Sequence, residues 1–174
     1  MITKTYWDNR YISGGNSGYG SYGEQLAKKL DWLKDLDFHT VVDVGCGDFN
    51  FGKSLLELHP AAYLGFDISE VIVAKNRRNY PGYSFNVLGD SIPSGDLTLC
   101  LDVLFHVIED EECEKLLKLF DGSKGYLAVT AYEYDRPSDN HVVYRKFDYK
   151  RFGEPLIREV VEEDGQLYFY LFKR

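Results

Sequence analysis

Apolar positions along this chain follow two alternating patterns. Five short runs predict strands, at 40–44, 61–68, 83–88, 97–101 and 126–131. The first and fourth are almost continuously apolar, which indicates strands buried on both faces, as in a parallel sheet. Before and between them, apolar residues recur every three or four positions and predict amphipathic helices, over 24–36, 53–58, 70–80 and 111–120. This alternation predicts an α/β fold with a doubly wound, mostly parallel sheet.

The first predicted helix has one apolar face. Leucines spaced by four and three residues are expected to lie against the sheet; they are Leu26, Leu30, Leu33 and Leu36. The charged residues, Lys29 among them, are expected on the outer face, so this helix should contribute packing and no chemistry. Ser69 and Asp110 are placed to cap the helices that follow them.

The last part of the chain changes pattern. Two predicted strands, 156–163 and 166–173, flank Asp164-Gly165, a strong signal for a two-residue hairpin. The sheet is therefore expected to end in an antiparallel pair. The helix expected ahead of this pair is reduced to something within 142–152, or is absent.

The composition narrows the class of protein. At 174 residues the chain fits one domain, and a formal net charge of −8 argues against nonspecific attraction to nucleic acid or to anionic membranes. No apolar run approaches the roughly 20 residues that cross a bilayer, and the first residues lack the apolar region of a signal peptide. The three cysteines have no metal-binding spacing and are expected to be reduced thiols in a cytoplasmic protein, without a metal site.

The stretch 40–52 carries the strongest local signal. A predicted strand containing Asp43 passes through Gly45-Cys46-Gly47 into a helix. Glycine lets the backbone approach a ligand closely, and doubly wound folds bind nucleotide-like cofactors at such a turn. Asn50 replaces the third glycine of the dinucleotide fingerprint, which argues against a pyrophosphate ligand. Asp43 also suits a cationic group better than a polyanion.

The run 41–47 resembles motif I of class I S-adenosylmethionine-dependent methyltransferases. The resemblance implies a Rossmann-like sheet in the methyltransferase strand order, S-adenosyl-L-methionine as cofactor and S-adenosyl-L-homocysteine as product. It implies that the Asp43 carboxylate helps to hold the methionine amine and that the turn packs under the amino acid and ribose. The turn residues expected to bind cofactor are Gly45, Cys46, Gly47 and Asn50. A plain strand-to-helix turn with a capping acid is the alternative.

Two further strand ends carry candidate cofactor-binding residues. Asp67 lies 20 residues beyond Gly47, the interval at which a nucleotide-binding unit places an acid on the ribose hydroxyls. We expect Asp67 to bind ribose, with Ile68 beside it. At the third strand end, the resemblance implies that Asp90 and Ser91 bind the adenine amino group; an Asx turn at Asp90 is compatible with that role.

The segment after the fourth predicted strand concerns the acceptor. It lacks the Asn/Asp-Pro-Pro-aromatic run of methyltransferases that act on DNA or glutamine amides, and its Asp-x-x-x-His form resembles small-molecule methyltransferases. The resemblance places Asp102 against the cofactor, where the donor methyl meets the acceptor. His106 is expected one helical turn above Asp102 and is the candidate general base. A histidine that only satisfies the loop by hydrogen bonding is the alternative.

Residues 1–23 contain five glycines between 14 and 23, which opposes a stable helix or strand there. Two interpretations stay open: an ordered lid over cofactor or substrate, favoured by the interspersed tyrosines, and a flexible or purely structural tail. The run 6–11 resembles the opening segment of several small methyltransferases. In a lid, Arg10 would reach the cofactor carboxylate, and Tyr6, Tyr11 or Tyr19 would face the sulfonium or the acceptor.

The predicted loop 132–141 lies at a carboxyl edge of the sheet, where substrate loops belong. Its candidates for acceptor recognition are Glu133, Tyr134, Arg136 and His141. We expect a small-molecule acceptor and neither a nucleic-acid nor a membrane partner. Two other functions stay open: a non-catalytic S-adenosylmethionine-binding or scaffold module, indicated by the reduced crossover, and an NAD-type oxidoreductase, against which Asn50 and Asp43 count.

Overall fold

The computed structural model describes residues 2–139, 141–162 and 166–174, with the backbone alone at residue 2 and at 136–139. Five α-helices occur in this part of the chain: α1 (Ile2–Ile12), α2 (Gly23–Leu33), α3 (Asn50–Leu58), α4 (Glu70–Asn79) and α5 (Asp110–Leu119). Its strands are β1 (Thr40–Val44), β2 (Ala62–Asp67), β3 (Ser84–Val87), β4 (Leu97–Cys100), β5 (Tyr126–Tyr132), β6 (Arg136–Asp139), β7 (Val142–Tyr144), β8 (Ile157–Glu162) and β9 (Leu167–Lys173).

Seven strands form one sheet in the order β3-β2-β1-β4-β5-β9-β8. The pairs from β3 to β5 are parallel, whereas β9 runs antiparallel to both β5 and β8. This confirms the predicted fold class: a Rossmann-like, mostly parallel sheet in the methyltransferase order that ends in an antiparallel pair. The predicted turn at Asp164-Gly165 lies outside the described residues.

The order of the strands places a crevice between β1 and β4. From β1 the chain builds outward to β2 and β3, then returns to add β4 on the other side of β1. At such a reversal the connecting loops diverge, which leaves a ligand-sized opening at the carboxyl ends of the strands. The fold therefore directs attention to the ends of β1, β2 and β4.

Strand β1 is buried on both faces. Val41 packs into the core on one side of the sheet, and Val42 and Val44 pack into the core on the other. The first core also receives Phe49 and Leu55 from the region of α3. A continuous apolar strand is stable here because helices cover both faces of the sheet.

The helix boundaries correct two predictions. Helix α3 begins at Asn50 rather than at 53, directly after Phe49, whose φ of 69° is left-handed. Glu109 rather than Asp110 is the residue before α5, and it makes no side-chain capping bond, so the predicted Asp110 cap is wrong. The Ser69 cap is confirmed, because the Ser69 hydroxyl accepts a hydrogen bond from the Ile72 amide at 3.3 Å.

Helix α2 buries a face that the sequence pattern did not predict. Its fully or nearly fully buried residues are Gln25, Lys29 and Leu33, which are spaced by four and lie one above another. The expectation that Lys29 lies on the outer face is wrong. Its side chain has no solvent exposure, so α2 contributes a buried charge as well as packing.

The N-terminal residues are ordered around a helix. Helix α1 packs against α4, and the Ser69 hydroxyl donates a hydrogen bond to Asp8 Oδ1 at 2.6 Å. The glycine-rich stretch 14–22, which we call the covering segment, follows α1 and contains a 3₁₀ turn at Tyr19–Ser21. The glycine-rich stretch is therefore a connection between α1 and α2, and the residues before it form a helix.

The crossover between β5 and β8 is short of helix, as predicted. Between 133 and 156 the described residues form no α-helix; they contain a 3₁₀ turn at Tyr149–Phe152 and the antiparallel pair β6–β7. The predicted open loop 132–141 is corrected, because β5 extends to Tyr132 and β6 occupies 136–139.

No described helix is both long enough and apolar enough to cross a bilayer.

Candidate active site

A cavity of about 450 Å³ opens at the carboxyl ends of β1, β2 and β4. Its floor contains Gly45 and Gly47, with Asp67 at one side and Asp102 at the other. Helix α1 supplies a wall, and α5 lies at the far end. The cavity therefore lies at the crevice that the strand order creates.

The glycine turn is built for close contact. Gly45 and Gly47 have φ values of 82° and 51°, which disfavour other residues. A Cβ at Gly45 would overlap Val103, and one at Gly47 would overlap the Ser17 hydroxyl. The turn is anchored because the Gly45 amide donates to the Phe66 carbonyl at 2.7 Å.

Asp67 connects the glycine turn to β2. One carboxylate oxygen accepts a hydrogen bond from the Gly47 amide and the other from the Ser69 amide, both at 2.9 Å. Burial raises the pKa of Asp67 to about 6. Asp67 and its neighbour Ile68 line the cavity. The Gly47 amide, which a pyrophosphate would need, already has an acceptor.

Asp102 lies at the end of β4 with a left-handed φ of 59°. Its Oδ1 accepts a hydrogen bond from the Thr130 hydroxyl at 3.0 Å, and its amide lies 2.6 Å from the same hydroxyl oxygen. Its Oδ2 pairs with the buried Lys29 ammonium. The predicted helical turn from Asp102 to His106 is corrected, since 3₁₀ structure begins only at Leu104.

His106 lies in the 3₁₀ turn Leu104–His106 and lines the cavity. Its Nδ1 is 3.1 Å from the His141 carbonyl oxygen. Because a carbonyl only accepts, Nδ1 carries the proton and Nε2 keeps a lone pair. Burial lowers the pKa of His106 to about 4. The Trp7 ring meets the His106 ring edge-on at 5.1 Å.

The covering segment is tied to the glycine turn through Asp48. The Ser17 amide donates to Asp48 Oδ2 at 3.0 Å, and the Asp48 amide donates to the Ser17 hydroxyl at 2.7 Å. The Tyr22 hydroxyl also donates to Asp48 Oδ2, at 2.6 Å. A Cβ at Gly20 would overlap the Asp102 carboxylate. The segment thus lies over both ends of the cavity floor.

Asp43 differs from its predicted position. Its side chain is 5% exposed and does not line the cavity. The Tyr63 hydroxyl donates to its Oδ2 at 2.6 Å, and burial raises its pKa to about 7. Asp43 pairs in register with Gly65, two residues before Asp67, so it lies deeper in the sheet than the cavity. This geometry does not support a contact with the methionine amine.

Two turn residues also face away from the cavity. Cys46 is buried and packs close to Gly65. The Asn50 side chain donates to the Ser21 carbonyl at 2.6 Å, so it holds the covering segment. Neither lines the cavity. At the adenine end, Asp90 lines the cavity, whereas its neighbour Ser91 is exposed and does not.

The N-terminal candidates also divide into residues that line the cavity and residues that do not. Tyr11 is buried and lines the cavity, with its hydroxyl 3.5 Å from Ser17 Oγ. Arg10 turns away; its guanidinium donates to the Asn16 carbonyl at 2.6 Å. Tyr19 is 70% exposed and does not line the cavity. The predicted contacts of Arg10 and Tyr19 with ligand are therefore not supported by this arrangement.

Three acceptor candidates after β5 have described side chains, and none of the three lines the cavity: Glu133, Tyr134 and His141. Glu133 forms an ion pair with Arg158 of β8, which lowers the pKa of Glu133. The Tyr134 ring packs against Tyr132 at 6.1 Å, and the Arg136 side chain lies outside the described part of the structure. His141 stacks on the His106 ring at 5.4 Å and so supports the cavity wall from behind.

Several residues at the site were missed from sequence. Lys29 had a usable signal, because it shares a helical face with Leu33. Thr130 sits inside an apolar strand run, where a hydroxyl needs a partner. Trp7 and Thr3 line the cavity from α1, and the glycines nearby obscured that helix. Glu109 lines it too, with one buried carboxylate oxygen that has no hydrogen-bond partner among the described residues.

No protein-family model and no curated protein matches the chain by sequence. Similar solved structures share its architecture. Magnesium protoporphyrin IX methyltransferase (ChlM) from Synechocystis PCC 6803, with bound SAH, has a TM-score of 0.73 at 17% identity, over 98% of this chain and 96% of that one. N-methyltransferase NodS from Bradyrhizobium japonicum WM9, in complex with S-adenosyl-l-homocysteine, has a TM-score of 0.69 at 10% identity, over 99% and 98%.

A third similar structure is an O-methyltransferase family protein from Burkholderia thailandensis, with a TM-score of 0.64 at 15% identity over 86% of this chain and 56% of that one. These likenesses extend over most of the present sheet and its helices. The chain therefore has the class I S-adenosylmethionine-dependent methyltransferase fold. At these identities the likeness concerns the fold, and the activity has to be argued from the site.

Proposed function

We propose that this chain is an enzyme that binds S-adenosylmethionine in the cavity and transfers its methyl group to a small-molecule acceptor. One observation carries the proposal: the glycine turn and the carboxylates of Asp67, Asp90 and Asp102, from three successive strand ends, line a single cavity. Carboxylates there suit ribose hydroxyls, an adenine amine and a positively charged ligand. The similar structures that contain SAH support the same cofactor.

The residues present fit a nucleoside sulfonium better than a dinucleotide. In a dinucleotide site, free amides at the glycine turn receive the pyrophosphate. Here the Gly47 amide donates to Asp67, which would place a carboxylate beside the phosphates. Asp67 keeps further lone pairs for ribose hydroxyls, since each carboxylate oxygen accepts more than one hydrogen bond. The charge around the turn thus favours a cationic ligand.

Bound in this cavity, S-adenosylmethionine would supply an activated methyl group on a positively charged sulfur. Methyl transfer needs the acceptor atom ~3–3.5 Å from that carbon and in line with the bond that breaks. The wall formed by Trp7, Tyr11 and Val103 can hold a small organic acceptor and exclude water. We propose that positioning supplies most of the acceleration.

His106 is the proposed general base, where the acceptor carries a proton. Its Nδ1 proton is directed at the His141 carbonyl, which leaves Nε2 as the proton-accepting atom. Because burial lowers its pKa to about 4, the imidazole is neutral at pH 7 and its Nε2 lone pair is free, but the same shift makes it a weak base. Asp102 is less suited to that task, because its oxygens already contact Lys29 and Thr130. We therefore assign Asp102 to positioning.

Residues 1–23 are proposed as a lid that belongs to the same domain. Its support is the set of hydrogen bonds from the covering segment to Asp48 and Asn50, together with the position of Tyr11 in the cavity.

Three free, buried cysteines agree with the expectation of a cytoplasmic protein.

Calorimetry tests the proposal directly. We expect the intact protein to bind S-adenosylmethionine and S-adenosylhomocysteine, and to show no binding of NAD at the same concentration. Absence of binding of both adenosyl ligands would overturn the proposal. Binding of both, with no methyl transfer from labelled S-adenosylmethionine to a panel of hydroxylated and aminated small molecules, would instead favour a non-catalytic binding module.

A further inference from the structure

Lys29 is a charged residue inside the core, next to the cavity floor. Its side chain has no exposure, its ammonium pairs with Asp102 Oδ2, and it lies 5.9 Å from the centroid of the Phe51 ring. Removing two charges from water carries a large desolvation cost, which their mutual attraction offsets only when the pair is well formed. An apolar pair of the same volume would fill this space without that cost, so packing alone does not explain the pair.

The carboxylate of this pair is fixed in place. Thr130 donates to Asp102 Oδ1 at 3.0 Å, and Lys29 holds Oδ2 from the side of α2. Gly20 of the covering segment lies so close to the carboxylate that a Cβ there would overlap it. Three separate elements therefore hold Asp102 at one position beside the glycine turn.

The two charges face in different directions. Asp102 lines the cavity, whereas Lys29 does not and is enclosed by the core. A ligand in the cavity is therefore closer to the negative end of the pair. The Lys29 ammonium cancels part of the electric field that the Asp102 carboxylate produces in the cavity, because the two charges lie within a few ångströms of each other. Water does not screen either charge in this region.

We propose that Lys29, by neutralising Asp102, sets the relative affinity of the cavity for the charged sulfonium donor and the neutral thioether product. The inference rests on the proposed function. S-adenosylmethionine and S-adenosylhomocysteine have nearly the same shape and differ by one positive charge and a methyl group. With Lys29 present, Asp102 positions the donor but does not hold it through an uncompensated charge. The cavity then binds donor and product with comparable affinity, and one can replace the other.

Changing the two charges separately tests this role. Dissociation constants for both ligands should be measured by calorimetry for the wild type, Lys29→Met, Asp102→Asn and the double variant. Lys29→Met leaves a bare carboxylate and should shift the affinity ratio toward S-adenosylmethionine on the order of tenfold. Asp102→Asn removes the negative charge that lines the cavity and should shift the ratio toward S-adenosylhomocysteine, by a smaller factor than the opposite shift, because the unpaired Lys29, which has no exposure, is driven to give up its proton. The double variant should return to the wild-type ratio.

Lys28→Met is the matched control. Lys28 lies on the same helix, is 42% exposed at its side chain and pairs with Glu24, so the ratio should not change. Thermal unfolding of each variant checks that it is folded. If one single variant does not fold, the other one and the double variant, which buries no unpaired charge, still give the comparison.

The outcomes separate the two proposals. If the wild type binds both ligands and every variant weakens them by the same factor, Lys29 has a structural role only, and this inference is wrong while the proposed function stands. Shifts of the ratio in the same direction for both single variants would also contradict it. A wild type that binds neither ligand would overturn both proposals.

Discussion

Asp43 and Asp67 are buried acids on neighbouring strands, with side chains 5% and 6% exposed, yet they have different surroundings. Asp67 lies at the end of β2 and lines the cavity, whereas Asp43 pairs with Gly65, two residues earlier, and accepts a hydrogen bond from Tyr63. Two residues along a strand correspond to roughly 7 Å. Depth along the strand, rather than charge or burial, therefore decides which acid can meet a ligand.

The largest expected effect concerns the pH dependence of stability that Asp43 contributes. Burial raises the pKa of Asp43 from its model-compound value of 3.8 to about 7, so the folded state holds a proton that the unfolded state has lost between pH 4 and 7. Stability from this group is present below pH 4 and is lost as the pH rises to 7. Relative to Asp43→Asn, the wild type should lose roughly 4 kcal/mol of unfolding free energy between pH 4 and 8.

Urea unfolding at several pH values measures this difference. Comparison with Asp43→Asn removes the contributions of the other titrating groups, since both proteins share them. Parallel curves of unfolding free energy against pH would show that Asp43 is ionised in the folded protein throughout this range.

The second effect concerns ligand binding. Asp67→Asn removes the charged hydrogen-bond acceptor at the cavity. It should weaken the binding of S-adenosylhomocysteine by about 10- to 100-fold, or ~1–3 kcal/mol. Asp43→Asn should leave the affinity within about twofold, because Asp43 does not line the cavity. Calorimetry measures both. Equal losses in the two variants would mean that Asp43 does reach the ligand.

Asp96→Asn is the control for Asp67→Asn. Asp96 accepts hydrogen bonds from the His39 and Thr40 amides at 2.9 Å, so it resembles Asp67 in its backbone contacts. It precedes β4, at the opposite end of the strand from Asp102. Its replacement should affect stability and not ligand affinity.

A third effect follows from the pKa of Asp67. Burial raises it to about 6, and the ionised form is the better acceptor for ribose hydroxyls. As the pH falls from 7 to 5, Asp67 becomes protonated and the affinity for S-adenosylhomocysteine should fall about tenfold. Calorimetry at pH 5, 6 and 7 measures this, and Asp43→Asn should give the same profile. An affinity independent of pH would place the ionisation of Asp67 outside this range.

The smallest effect concerns the partner of Asp43. Tyr63→Phe removes the hydroxyl that donates to Asp43 Oδ2 and should lower the unfolding free energy by about 1 kcal/mol, with the affinity for S-adenosylhomocysteine unchanged. Tyr83→Phe, in the same aromatic cluster but 39% exposed, is the matched control. A loss of affinity in Tyr63→Phe would connect Asp43 to the cavity after all.

The sequence predicted those parts of the molecule that local spacing determines. The glycine turn and its distance to Asp67 lie within one strand-helix-strand unit, whose geometry fixes their separation. The mostly parallel sheet and its antiparallel end followed from the alternation of strands and helices and from the terminal hairpin signal, whereas the order of the strands was implied by the family resemblance of 41–47. Asp90 and His106 were located through the family resemblance, which assigns roles to the short segments that come after β3 and β4.

The residues that were placed wrongly depend on partners far along the chain. Lys29 is buried because Asp102, 73 residues later, pairs with it. Glu133 lies close to the carboxyl end of β5, but Arg158 on β8 draws its carboxylate away. Arg10 bonds the covering segment itself. Such pairings leave no periodic pattern, so reading one sequence cannot assign them.

The bonds between Ser17 and Asp48 have a kinetic consequence. These two bonds and the one from Tyr22 hold the covering segment over the glycine turn, and we expect a ligand seated beneath the segment to leave after they have opened. We expect the residence time of a ligand to follow the opening rate of this short stretch, on the microsecond-to-millisecond scale typical of such loops. The turnover rate would then be limited by the opening of these hydrogen bonds rather than by the methyl-transfer step.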